Sequence, residues 1–209
     1  MAPPPPFGAN SAAARDIANV LHPYTDLQTH QQVGPMIVTR GKGVRVWDDS
    51  GKDYIESVAG LWCASLGFDN ERLVQAAVTQ MRKLPFYHAF TAKSHEPLID
   101  LSEMLIQRAP VPMSKVFFAN SGSEANDSAI KMVWYMNNAL GRPNKKKVIG
   151  RLKGYHGITI GSASLTGLPA NHRSFDLPLP GFVHTATPHY YHGASAGESE
   201  SDYATRLAD

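Results

Sequence analysis

Changes in hydrophobic period divide the chain. Ile37-Val38-Thr39-Arg40 and Val44-Arg45-Val46-Trp47 are β-rich runs around Gly41-Lys42-Gly43, and Asp49-Ser50-Gly51 turns the chain toward Tyr54-Ile55-Glu56, so the spacing predicts a small meander. From Asn70 the apolar positions Leu73, Ala77, Met81 and Leu84 recur at three or four residues, which predicts a helix capped by Asn70 and stopped at Pro85. A second helix is predicted from Ser94 to Arg108, with Leu98, Leu101 and Leu105 on one face. Lys115-Val116-Phe117-Phe118-Ala119 is a short apolar run of strand type, followed at once by Asn120-Ser121-Gly122-Ser123-Glu124. The stripe Ala125, Ala129, Met132, Val133, Met136, Leu140 predicts a helix that closes at Gly141 and Pro143, and Lys147-Val148-Ile149 reads as the next strand. Such a β-loop-α-β unit is the mark of an α/β domain with a largely parallel sheet. Glu198 to Asp209 begins one more helical pattern, with Tyr203 and Leu207, that meets no stop signal; a sheet that breaks off there is expected to be truncated.

The front of the chain is different in kind. Met1 to Ser11 (MAPPPPFGANS) carries a four-proline run, and residues 1–16 are expected to form a disordered Pro/Ala-rich leader. Ile17 to Tyr24 ends in His22-Pro23-Tyr24, where proline biases its predecessor away from helix, so an extended arm is expected. The resulting division is a leader over 1–16, an arm and meander over 17–69, and the first part of a larger α/β domain over 70–209.

Charge and composition narrow the function classes. Twenty basic against 18 acidic side chains leave a formal charge of +2, so no single-sign field exists to draw nucleic acid or an acidic membrane. Lys145-Lys146-Lys147 reads as a solvated loop. No apolar run approaches the roughly 20 residues that span a bilayer, and the first residues lack the basic start and apolar stretch of a secretory signal. Cys63 has no partner cysteine in the chain, which fits a reducing compartment, and a cytoplasmic home is expected.

Four groups of residues could carry chemistry. Ser121-Gly122-Ser123 lies between a predicted strand and a helix start, where unpaired backbone N–H groups and the positive end of the helix dipole converge. A phosphate fits there, and an ordinary serine N-cap fits the same residues. In Gly154-Tyr155-His156-Gly157 two glycines flank two rings, a turn that can hold an aromatic ring flat against a planar ligand or simply pack. Trp62 and the cluster Phe86-Tyr87-His88-Ala89-Phe90 could wall an apolar pocket or serve as plain core. His189-Tyr190-Tyr191-His192 lacks helical i,i+4 spacing and a nearby acidic partner, so no metal site is expected from it.

In this order, Gly60-Leu61-Trp62-Cys63, Leu84-Pro85-Phe86-Tyr87, Asn120-Ser121-Gly122-Ser123-Glu124-Ala125-Asn126-Asp127, Gly154-Tyr155-His156-Gly157 and Asp176-Leu177-Pro178-Leu179-Pro180-Gly181 resemble class III aminotransferases. The resemblance is greatest to omega-transaminases that use pyruvate as amino acceptor, and it runs from about Leu21 to the C-terminus. It implies an α/β chain of the type I pyridoxal-phosphate-dependent transferase fold, with a three-layer large domain, a small domain that takes in the meander, and a homodimer. It implies pyridoxal 5'-phosphate as cofactor, with Gly122, Ser123 and neighbouring Ser121 on the phosphate and Tyr155 stacked on the ring. Trp62 and Phe90 would shape the substrate pocket, with Tyr24 reaching it from the arm. The partners implied are a small amine donor and a keto acid acceptor.

The family also uses a Schiff-base lysine, an aspartate facing the ring nitrogen, a threonine on the phosphate and usually a carboxylate-binding arginine. These are expected to follow Asp209, so no catalytic residue is assigned in this chain, which alone is expected to be inactive. Lys153-Gly154 mimics the lysine context, but its place directly before the ring-stacking tyrosine assigns it elsewhere. Two other readings stay open: a decarboxylase or aminomutase on the same scaffold, or a non-catalytic phosphate-binding module.

Overall fold

The computed structural model describes residues 7–209, and the four-proline run lies outside them. It divides into two compact units, Met1–Glu96 and Pro97–Asp209.

In the first unit, Ser11 Oγ accepts the N–H of Ala14 at 3.1 Å and starts helix α1 (Ala12–Asn19). This corrects the expectation of a disordered leader to residue 16: residues 12–16 are helical. The proline run dominated the composition of the segment, whereas a capping serine before three alanines is a local helix signal. A second short helix, α2 (Leu27–Val33), starts on Asp26, whose carboxylate accepts from the Gln28 N–H and the Thr29 hydroxyl.

The meander forms as expected, from β1 (Val38–Lys42), β2 (Arg45–Asp48) and β3 (Asp53–Ile55), antiparallel in the order β1-β2-β3. Val46, opposite Gly41 on one side and Tyr54 on the other, is buried. Asp48 holds the β2–β3 turn: its carboxylate accepts from the Ser50 hydroxyl (2.7 Å), the Tyr54 hydroxyl (2.8 Å) and the Lys52 and Ser50 N–H groups. These donors, the Ser50 hydroxyl foremost, hold its pKa below the ordinary aspartate value.

Beyond the meander comes a one-turn element, α3 (Ala59–Trp62), and then α4 (Glu71–Lys83), capped by Asn70 and ending just before Pro85 as the pattern required. A single 3₁₀ turn covers Phe90–Ala92, and α5 (Glu96–Arg108) runs across the boundary between the units.

The second unit departs from expectation at its start. Residues 112–119 carry no regular structure, so the strand expected over Lys115 to Ala119 is not formed. Strand propensity describes how a side chain suits a pleated surface, and a strand exists only where a neighbour exchanges ladder hydrogen bonds with it. Helix α6 (Gly122–Ala139) follows. Its C-terminal end is tied down by two reciprocal bonds at 3.0 Å: Trp134 Nε1 donates to the Lys146 carbonyl, and Lys146 Nζ donates to the Trp134 carbonyl. Lys146 is therefore a helix-end clamp rather than a member of a solvated run.

Strands β4 (Val148–Arg151) and β5 (Phe182–Thr185) pair in parallel, Val148 opposite Phe182, with α7 (Ile160–Leu165) in the crossover between them. A short turn of helix, α8 (Tyr190–Gly193), and α9 (Glu200–Ala208) complete the unit. Its core is small and half polar: Ala163, Phe182 and Tyr203 with Asn137, Ser162, Ser164 and Thr166. Each core hydroxyl has a partner; that of Tyr203, for example, donates to the Thr187 carbonyl at 2.8 Å. Many apolar side chains of α4, α5 and α6, among them Met81, Ile99 and Met132, are exposed.

Candidate functional site

The N-terminus of α6 is built from Ser121. Its hydroxyl accepts the Glu124 N–H at 3.1 Å, and Glu124 turns back so that its carboxylate accepts the Asn120 N–H at 2.8 Å. This is a variant of the reciprocal serine-glutamate cap, and it fixes the start of the helix. At the first two helical positions the N–H groups of Gly122 and Ser123 have no acceptor within the helix, and they lie at the positive end of an 18-residue helix. A Cβ placed on Gly122 would meet nothing within 4 Å.

The turn Gly154-Tyr155-His156-Gly157 is held directly against this helix start. The Ile158 N–H donates to Ser123 Oγ at 3.0 Å, and Asn126 Nδ2 donates to the His156 carbonyl at 2.7 Å, contacts that bridge 35 and 30 residues of sequence. From the other side, buried Thr166 Oγ1 accepts the His156 N–H at 2.9 Å, and the Gly167 N–H donates to the Gly154 carbonyl at 2.8 Å. Gly157 has a φ of +132°, and a Cβ there would lie 2.5 Å from Ser123 Oγ and 2.4 Å from Ser162 Oγ. Only glycine lets the two turns close to this distance. The backbone on both sides of Tyr155 is thus hydrogen-bonded, while the residue is 55% exposed. A turn with hydrogen-bonded backbone, itself bonded to the start of α6, thus presents an exposed tyrosine.

Asn126 lies within a motif that assigns it no task, and nothing in the sequence marks Thr166. No local signal singles out a threonine 10 residues beyond the N–H it accepts. Asp127, the next residue of α6 after Asn126, has a buried carboxylate oxygen with no hydrogen-bond partner among the described residues.

The other candidates belong to the first unit and share a backbone peculiarity. Ala59, Gly60, Leu61 and Trp62 all have left-handed φ, from 50° to 66°, so α3 is a left-handed turn, with Trp62 at its end and 78% exposed. The Glu56 carboxylate accepts the N–H groups of Val58 and Gly60 and so holds the turn at its start. Phe90, also exposed, is followed by Thr91 and Ala92 at φ of 55° and 61°, and Tyr24 has a φ of 52°. Left-handed backbone at a non-glycine residue costs about 1–2 kcal/mol, and such strain clusters at ligand sites. His189, by contrast, spends its Nδ1 on the His192 N–H, as the cap of α8.

The class-III aminotransferase family model matches residues 27–209, almost the whole of the described chain. This chain belongs to the class-III aminotransferases. A crystal structure of an omega transaminase from Pseudomonas jessenii in complex with PMP is 63% identical, with a TM-score of 0.92, over 95% of this chain and 44% of that one. A thermostable omega transaminase variant engineered for asymmetric synthesis of enantiopure bulky amines, with a tryptophan, a phenylalanine and an arginine replaced, is 61% identical with a TM-score of 0.93 over the same shares. A probable gamma-aminobutyrate transaminase of Oryza sativa subsp. indica, named as mitochondrial, is 52% identical over 91% of this chain and 39% of its own length. The class-III aminotransferase chain described here therefore spans about two-fifths of the length of these relatives, and over that span it has the fold of a pyridoxal-phosphate-dependent transaminase. Among the described residues no helix is long and apolar enough to cross a membrane.

Proposed function

We propose that the chain supplies the phosphate cradle and ring platform of a pyridoxal-phosphate-dependent aminotransferase that moves an amino group from an amine or ω-amino acid to a keto acid such as pyruvate. The observation that carries this reading is the junction of the α6 start with the 154–158 turn, where a helix start with N–H groups that have no acceptor within the helix is hydrogen-bonded to the turn that carries exposed Tyr155. The N–H groups of Gly122 and Ser123 bind the phosphate, and the Ser123 hydroxyl, which accepts from Ile158, still has its own proton to donate. Ser121 acts at one remove, as the cap that orients those donors. Tyr155 covers one face of the pyridine ring. Once bound, pyridoxal phosphate supplies an electron-withdrawing ring that lets the substrate carbon give up a proton.

Trp62, Phe90 and Tyr24 take substrate-facing roles in this proposal. Their exposure and the strained backbone at or beside each support it. In the bulky-amine variant the replaced tryptophan and phenylalanine stand at the same separation as Trp62 and Phe90, which supports a role for these two positions in setting the size of the amine accepted. A homodimer and a cytoplasmic setting complete the proposal, and exposed, unpaired Cys63 fits a reducing compartment.

Lys153 directly precedes the Tyr155 turn, where its N–H donates to the Gly167 carbonyl, and it takes no part in holding the cofactor in this proposal, in which the chain orients a cofactor without attaching it. The test is titration of the 209-residue chain with pyridoxal phosphate, followed by borohydride trapping, peptide mapping and a turnover assay with pyruvate and an amine. Binding that inorganic phosphate displaces, without stoichiometric trapping at one lysine and without turnover, is the expected result. Trapping at one lysine with turnover would overturn the division of labour proposed here.

A further inference from the structure

A second cluster of potential ligands lies in the first unit. Asp16 sits on α1, His30 in the last turn of α2, and His22 in the segment joining them. The Nε2 atoms of both histidines point at the same oxygen, Asp16 Oδ1, at 2.9 Å from His22 and 3.1 Å from His30. The donor atoms of all three residues lie within 4.8 Å of one another. The imidazoles meet edge to face, with centroids 4.8 Å apart and planes at 61°, so two separate lone-pair directions converge instead of running parallel.

We propose that Asp16, His22 and His30 bind a divalent transition-metal ion of the zinc class, with solvent water as the remaining ligand. Two imidazole nitrogens and one carboxylate oxygen are the donor set such an ion prefers. With bonds of about 2.0–2.1 Å, the edge of a tetrahedral site is roughly 3.3 Å, so the two Nε2–Oδ1 separations need open by only a few tenths of an ångström while the remaining donor pair, within 4.8 Å, draws closer on binding. Burial is graded in the right way: the side chain of His30 is 9% exposed, Asp16 17% and His22 33%, which closes one side of the cluster and leaves the other to water.

In the metal-free protein each Nε2 donates its hydrogen to Asp16. On binding, each neutral imidazole carries its proton on Nδ1 and turns the Nε2 lone pair to the ion, while the carboxylate is already ionised, so charge and protons balance without a further reactant. An ion here would fasten α1 to α2 at the start of the chain. The site shares no residue with the cofactor junction, and the inference stands or falls independently of it.

The experiment uses the tag-free 209-residue chain, stripped with EDTA and titrated with ZnCl2 by calorimetry and with CoCl2 by visible absorption. One equivalent of zinc and tetrahedral cobalt bands are expected, with affinity reduced at least tenfold in both His22→Gln and His30→Gln. His22 is partly exposed and outside both helices, so its replacement leaves the fold intact, as helical circular dichroism of the variant will show. His189→Gln serves as the control and should bind like the parent. Absence of a one-equivalent site, retention of parent affinity in His22→Gln, or loss of uptake in His189→Gln would each overturn the proposal and leave Asp16 as a plain acceptor of two histidine hydrogen bonds.

Discussion

Gly122 offers a perturbation in which fold and ligand respond with opposite signs. Its φ is not left-handed, and a Cβ there meets nothing within 4 Å, so Gly122→Ala introduces neither strain nor a clash. Alanine loses less backbone entropy than glycine in a helix, and the change should be neutral or stabilise by up to about 1 kcal/mol. Gly122→Asp should also be tolerated, since a carboxylate in the first turn gains about 0.3–1 kcal/mol from the helix dipole. Anion binding should fall in both. A methyl group in front of the donors keeps the phosphate from at least one N–H, and a hydrogen bond to a charged group contributes about 1.5–3 kcal/mol, or roughly ten- to a hundredfold in affinity. Aspartate adds direct repulsion and should abolish binding. Thermal melts followed by circular dichroism report the fold, and pyridoxal phosphate titration with inorganic phosphate as competitor reports the site. If both variants bind as tightly as the parent, the α6 start is an ordinary capped helix end and the phosphate reading fails.

Tyr155→Phe should keep most of the affinity for pyridoxal phosphate and Tyr155→Ala should lose about 0.5–1.5 kcal/mol, because the face and not the hydroxyl does the stacking; equal retention in both would reduce Tyr155 to a packed turn residue. At Trp62, where φ is 66°, glycine should be more stable than alanine by about 1 kcal/mol, reversing the order found in right-handed structure, and an alanine variant at least as stable would show that the turn is not left-handed. In the active enzyme, opening that position should shift preference toward bulkier amines without loss of cofactor, as ranked by initial rates over a donor panel. Glu198 accepts from Arg206 and from the Ser195 N–H, which together hold its carboxyl down from 4.5 to about 2. A depressed carboxylate pKa gives stability that is complete above 4.5 and lost as the pH falls toward 2, so Glu198→Gln should flatten the acid limb of a melting-temperature profile over that interval; an unchanged limb would place the acid sensitivity elsewhere.

Much of the local structure was legible because its causes are local. Asn70 before a three-four apolar period started α4 and Pro85 stopped it; Ser121 with Glu124 three residues on started α6; Asp49-Ser50-Gly51 turned the meander. Each of these depends on groups a few residues apart, and a single sequence contains all of them. The helix at residues 12–16 was legible too, in Ser11 and its alanines, but the weight of the proline run hid it. The order of the motifs also pointed to the class-III aminotransferases, which the family match bears out.

What only the tertiary structure decided is how those pieces meet. The Lys115 to Ala119 run had the composition of a strand and no ladder neighbour, and composition cannot supply one. The left-handed path of Ala59 to Trp62 runs against the preference of three of its four residues, and the Glu56 carboxylate accepting the N–H groups of Val58 and Gly60 is the local bond that supports it. Above all, the joining of the α6 start to the Tyr155 turn rests on Asn126 with His156, Ser123 with Ile158, Thr166 with His156, and a glycine that leaves no room for a methyl group. Those partners lie 10 to 35 residues apart, and a hydrogen bond depends on distance in space, which the chain acquires only once β4, α7 and α6 have packed together.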